Sequence, residues 1–313
     1  MKRLILLLLP IAALIFTSCQ EEFNPDGEMK EKYFLSCVLR GDTTLQSAFI
    51  SAVYRNGNTT LPFSTAGTDI RIWYKDTVFV LKDSIIKETG YEGQHQFFVR
   101  NFFPEPGERI EIQARMPNGK KLSAVSYVPH RIQIDSAMCD TLIPMPGQSR
   151  IQYTWIKSDQ DVYYVPRFRI LYYKNINGKN VWFEKQVPFE YISSGGTEQA
   201  LYPQLSSNTS VKYDQKVIDR AMRDLSEGDI NKEDYTISVM AVDIIAVDKF
   251  LGTYYIAGKT QSDGFTVKLD QTDYSNISGG MGIFGAYTKS TYYIWINSAY
   301  IRSFRYNPGV TVH

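Results

Sequence analysis

The chain is 313 residues long, 14% aromatic and 21% charged, with 34 basic against 33 acidic side chains and only three histidines and three cysteines. A near-neutral chain with no basic block lacks the clustered positive surface that non-specific nucleic-acid binding requires. His95, His130 and His313 are scattered, with no C-x-x-C or H-x-x-x-H spacing to frame a metal, so no metal, cofactor or nucleic-acid partner is expected.

Taken in chain order, "MKRLILLLLPIAALIFTSC" comes first. Lys2 and Arg3 head an apolar run from Leu4 to Phe16, and Thr17 and Ser18 precede Cys19. A basic head, a short apolar middle and a small-residue exit make an export signal over residues 1–18. The run is shorter than the roughly 20 apolar residues of a spanning helix, and Pro10 interrupts it. "FTSC" resembles the lipobox of bacterial lipoproteins, in which the cysteine becomes the first mature residue and carries acyl chains. Cys19 is therefore the expected lipid attachment, and several chains together hold a domain at a bilayer. "QEEFNPDGEMKEK" continues as a tether over 19–30. Its Gln20-Glu21-Glu22 looks like the acidic tag that sends Bacteroidetes lipoproteins to the outer face of the outer membrane, and reads otherwise as a solvated linker. Loss of Lys2 and Arg3 moves the formal charge from +1 to −1.

From residue 31 to 129 the pattern is short alternating runs. "KYFLSCVLR" places Tyr33, Leu35, Cys37 and Leu39 on one face. "SAFISAVY", "DIRIWYK", "TVFVLKD", "HQFFVRN", "RIEIQARM" and "KLSAVSYV" follow, separated by turn formers. Such spacing predicts a β-sandwich of immunoglobulin or transthyretin type. Gly107 opens the clearest hairpin and Asn118-Gly119 turns it. Residues 130–148, with Pro144 and Pro146, read as a linker.

Residues 149–313 read as a second, fibronectin type III-like β domain with two helical insertions. "RIQYTWIKS", "VYYVPRFRILYYKN" and "NVWFEKQVPFEYI" are strands, with Trp155 as core aromatic. One helix is predicted near 214–226, capped by Asp214 and followed by Gly228, and one near 247–258, closed by Gly258. "DYTISVMAVD" between them is a buried strand. The fold class is thus mainly β, two sandwiches.

"GGMGIFGAY" carries the G-x-G-x-x-G spacing at Gly280, Gly282 and Gly285, beside Gly279. A dinucleotide site needs a helix after the glycines, yet "TKSTYYIWINSAYIRSF" is strand-like. The four glycines read instead as a structural loop passing tightly over a sheet, a candidate rim of a binding surface.

"DYSNISGGMGIFGAY", together with "SCVLRGDTTLQSAFIS", "PGERIEI", "YVP" and "SVMAVDIIAVDKFLGTYY", resembles the Bacteroidetes lipoprotein family called domain of unknown function 4249. The similarity runs from about residue 30 to 300, with "SDGFTVKLDQTDYSNI" departing from the family's proline-rich approach. The resemblance implies an outer-membrane lipoprotein often associated with TonB-dependent transporters, with no known enzymatic activity.

No G-x-S-x-G elbow or histidine-centred nucleophile motif is present, so no enzyme is expected. Asp243 and Asp248 form a conceivable carboxylate pair, with helix capping by Asp243 the plainer reading. Asp159 and Asp161 offer a weak calcium loop. Cys37 and Cys139 are either bridged or two free thiols. "DTV", "DSI", "DSA" and "DTL" resemble O-glycosylation triplets with acceptors Thr77, Ser84, Ser136 and Thr141. The functional expectation is a surface-exposed, lipid-anchored accessory or ligand-binding protein of a TonB-dependent transporter. A structural or adhesive surface protein is the alternative, and an exported hydrolase a more distant one.

Overall fold

A computed structural model describes residues 32–53, 65–85, 95–144, 147, 149–194, 197–260 and 274–309. The signal segment, Cys19 and the tether lie outside the described residues. The N-terminal half contributes β1 (Lys32–Arg40), β2 (Gln46–Val53), β3 (Asp69–Tyr74), β4 (Thr77–Val80), β5 (Lys82–Ile85), β6 (His95–Val99), β7 (Arg109–Arg115) and β8 (Lys121–Tyr127). A 3₁₀ turn (Ser136–Met138) precedes β9 (Leu142–Ile143). The rest comprises β10 (Arg150–Thr154), β11 (Val162–Ile176), β12 (Lys179–Val187), β13 (Glu190–Ser194), β14 (Thr197–Leu201), β15 (Ser210–Asp214) and α1 (Gln215–Arg223). A second 3₁₀ turn, Lys232–Asp234, leads into β16 (Tyr235–Asp248), followed by α2 (Lys249–Thr260), β17 (Met281–Ile296), α3 (Ser298–Ser303) and β18 (Asn307–Pro308).

The fold is mainly β, as the alternation predicts. Tyr33, Leu35, Cys37 and Leu39 all point into one core, and Ile110, Ile112 and Ala114 of β7 face them from the opposing sheet. That sheet runs β4-β3-β7-β8. The run "TVFVLKD" is not one strand. Leu81 is buried and its N–H donates to the Ile70 carbonyl, so β4 pairs with β3 while β5 crosses to pair with β6.

The long sheet runs β12-β11-β16-β17-β1-β2-β6-β5 and spans both halves. Its hinge is the parallel pairing of β1 with β17, from Phe34 opposite Met281 to Arg40 opposite Tyr287. One core lies under the N-terminal half and takes in Ile277, Phe284 and Ala286 from the far end of the chain. A second packs α1, β10 and β15 against β11 and β16, with Trp155 buried edge-on to Tyr164. Within the predicted linker, residues 130–144 are packed as well: Ile132 and Ile143 are buried in that second core, and β9 pairs with β17.

Asp214 caps α1 through the Lys216 N–H, as its position predicts. Gly258 does not close α2, which runs on to Thr260, and α3 has no counterpart in the sequence reading. Pro166 sits inside β11, a strand with neighbours on both sides. It is tolerated because β12 begins pairing only at Phe168, leaving one side of Pro166 without a partner strand.

Candidate functional site

The glycine run is the start of a strand. Gly279 and Gly280 precede β17, and Gly282 and Gly285 lie within it. Gly282 has φ +121°, and a Cβ there would stand 2.0 Å from the Leu35 carbonyl oxygen. Parallel pairing with β1 at this point is therefore possible only for glycine. Asn276 fixes the approach. Its side-chain amide donates to the Phe284 carbonyl (2.7 Å), and its oxygen accepts the Phe284 N–H (2.9 Å). A strand and not a helix follows the glycines directly, so the free amides of a pyrophosphate cradle are not at this place.

Asp248, not Asp243, is the helix cap. It ends β16, and its Oδ1 accepts the Leu251 N–H of α2 at 3.0 Å. Its Oδ2 accepts the Ala286 N–H of β17. The Ser126 hydroxyl approaches the same carboxylate without reaching full hydrogen-bond geometry. Burial pushes the Asp248 carboxyl up to about 6, against the lowering effect of the backbone donors. The result is a knot joining α2, β16 and β17.

Asp243 lies mid-strand and is fully buried. Arg169 of β11 reaches it twice, at 2.7 Å from Nε to Oδ2 and 2.9 Å from Nη2 to Oδ1. The Thr291 hydroxyl donates to it from β17 at 2.7 Å. Arg169 also meets Glu184 of β12 at 2.6 Å, and Arg167 completes the row. These charges cross three strands of the long sheet and neutralise one another. An acid pair for glycoside hydrolysis is not formed, since both aspartates are committed elsewhere.

The same face of the sheet carries aromatic side chains in the open. Cross-strand partners share a face in an antiparallel ladder. Trp182 stands opposite Tyr173, edge-on at 5.2 Å, and Tyr293 stands opposite Ala241. Trp295 follows two residues on. Trp182 is 63% exposed, Tyr293 62% and Trp295 54%. Helix α2 covers the other end of this face, where Leu251 and Tyr254 pack on Val247 and Ile283. Tyr287 contacts that cluster, and Trp295 lies eight residues further, roughly 27 Å along the strand. Two of the chain's four tryptophans thus occupy one uncovered sheet face, an arrangement that marks interaction surfaces. Alternation in "FRILYY", "NVWFEK" and "TYYIWI" holds the signal, because these rings sit in the phase opposite to the core residues.

The other predicted positions are scattered. Cys37 is buried in the N-terminal core, its thiol pushed up to about 12 by burial. Cys139 exchanges hydrogen bonds with the backbone of Thr154 at 3.2 Å, so the two thiols are free and belong to different cores. Asp161 pairs with Lys249 at 2.8 Å. No cluster of metal-ligating side chains occurs among the described residues, and no described helix is long and apolar enough to cross a membrane. Thr77, Ser84, Ser136 and Thr141 are all exposed.

A family model described as domain of unknown function (DUF4249) matches residues 20–293. No curated protein matches the chain significantly. Among solved structures, DIP-gamma IG1+IG2 is 7% identical, covering 90% of this chain and 98% of its own, at a TM-score of 0.19. Chicken CNTN1 FN1-FN3 is 10% identical, covering 84% and 64%, at a TM-score of 0.16. Scores this low carry no argument beyond the β character already visible in the strands.

Proposed function

This chain belongs to the DUF4249 family, and from that premise we propose that it is a lipid-anchored surface protein that binds rather than catalyses. We further propose that its partner is a TonB-dependent transporter of the outer membrane. The observation that carries this reading is the uncovered face bearing Tyr173, Trp182, Tyr293 and Trp295. Exposed aromatic rings on a rigid sheet are suited to protein contact, because they bury a large area with little loss of side-chain freedom. The lipobox-like "FTSC" and the acidic stretch after it support an anchored, outward-facing placement through Cys19. Self-neutralised carboxylates at Asp243 and a buried one at Asp248 favour recognition over acid–base chemistry.

Two measurements test the proposal. Palmitate label should enter the wild-type protein and be absent from Cys19→Ser, which should leave the membrane fraction. Affinity capture from mildly solubilised membranes should bring down an outer-membrane barrel, and a Trp182→Ala/Trp295→Ala chain should lose it. Capture without a barrel would discard the transporter and leave the adhesive reading, in which a deletion strain retains uptake and loses attachment.

A further inference from the structure

The sheet β4-β3-β7-β8 buries one side in the N-terminal core and leaves the other open. A groove of about 470 Å³ runs across that open side. Its size lies within the roughly 300–1,000 Å³ of small-ligand sites. Arg71, Trp73, Gln113, Arg115, Lys121 and Ser123 line it, with Asp69 at one edge. Arg115 and Lys121 are register partners on β7 and β8, so two cations stand directly opposite each other. Like charges in that position destabilise a sheet. Asp69 stands opposite Arg115 on β3, yet its carboxylate is bound to Arg71 at 2.7 Å. Among the described residues neither Arg115 nor Lys121 is joined to a carboxylate. Three cations against one acid leave this groove positive in a chain that is otherwise near neutral.

The remaining lining is of a different kind. Trp73 contributes a flat apolar ring one step along β3 from Arg71. Gln113 is oriented by donating its amide to Glu111 Oε1 at 3.0 Å, which leaves its own oxygen free to accept. Ser123 adds a hydroxyl on β8. The groove wall is rigid: Ser123 and Ser278 exchange backbone hydrogen bonds of 3.1 and 2.8 Å, and a Cβ on Gly279 would stand 2.3 Å from the Lys121 carbonyl oxygen. The first glycine of the run thus seats the strand that carries the unpaired lysine.

We propose that this groove binds a uronic acid-bearing oligosaccharide. Arg115 and Lys121 hold the sugar carboxylate, Trp73 stacks on a ring face, and Gln113 and Ser123 bond hydroxyl groups. A bare anion would use the cations and leave the tryptophan idle, and a neutral sugar would leave the cations unpaired. This site is separate from the aromatic face and stands whether or not a transporter docks there.

Calorimetric titration of the purified mature chain with tri-galacturonate, galactotriose and inorganic phosphate tests the proposal. Tri-galacturonate should bind, with affinity falling as salt rises. Arg115→Gln/Lys121→Gln should weaken binding at least about tenfold, as loss of charge-assisted bonds dictates, with the melting temperature not lowered, since the like-charge repulsion across β7 and β8 is removed. Trp73→Ala should weaken it too. Absence of tri-galacturonate binding, equal binding of galactotriose, equal binding of phosphate, or an unaffected double variant would each overturn it.

Discussion

Gly285 and Asp248 leave each other no spare room: a Cβ on residue 285 would stand 2.5 Å from Asp248 Oδ2 and 2.8 Å from Leu251 Cβ. The absence of a side chain on β17 is what lets α2 lie down on the sheet. Gly285→Ala should therefore push the helix away and cost about 1–3 kcal/mol, the range for overpacking a filled site. Urea denaturation read by circular dichroism measures the loss. An unchanged midpoint would show that the helix can shift freely.

Asp248 gives the stability of the protein an unusual pH component. Its carboxyl is raised from 3.8 to about 6 by burial, so the fold prefers the protonated acid. That contribution is complete below the unfolded value near 4 and drains away as pH climbs through 6. The shift corresponds to about 3 kcal/mol in the limit. Asp248→Asn keeps a capping oxygen and cannot ionise. The melting temperature of the variant relative to wild type should rise between pH 4 and pH 7, and a flat difference would contradict the assignment. Tyr274, raised by burial and by this same carboxylate, titrates outside that window.

Removing Arg169 should be among the most damaging surface-facing changes. It would strand the fully buried Asp243 with only the Thr291 hydroxyl for company. Arg169→Ala is expected to cost about 3–5 kcal/mol, the usual result of breaking a buried pair from one side. Arg169→Met/Asp243→Leu should recover most of it. Chemical denaturation of the three chains checks both statements, and a mild single-variant effect would mean the cluster is solvated.

Trp182 and Trp295 should behave in the opposite way. Their side chains are largely in solvent, so alanine at either position is expected to change stability by no more than about 0.5 kcal/mol. Partner capture should nevertheless fall sharply. Equal loss of stability and capture would mean that the rings support the sheet rather than meet a partner.

Much of this architecture is written in local patterns. The phase of Leu35, Cys37 and Leu39 announces a buried face, Asn118-Gly119 announces a turn, and Asp214 announces a helix. What stays hidden is the pairing of elements distant in sequence. No local signal tells β1 that its neighbour is β17, because parallel partners need no shared turn. The glycines hint at a close approach without naming Leu35 as the thing approached. Asp243 and Asp248 look interchangeable on paper, and only the strand length decides that one ends a strand while the other is locked in its middle. The exposed tryptophans follow the same logic: alternation shows that they oppose the core, and only the extent of α2 shows that they stay uncovered. Pro166 is a further case, since its tolerance depends on where β12 happens to end.

The β1–β17 seam bears on the order in which the polypeptide completes its fold. The half that emerges first cannot finish its interior until Ile277, Phe284 and Ala286 have been delivered from near the opposite terminus. Non-local closure of this kind is slow and leaves an unfinished sheet edge open in the meantime. Premature stops anywhere before the glycine run would therefore unmake both halves at once, since the strand that closes the first core also pairs with β16 of the second.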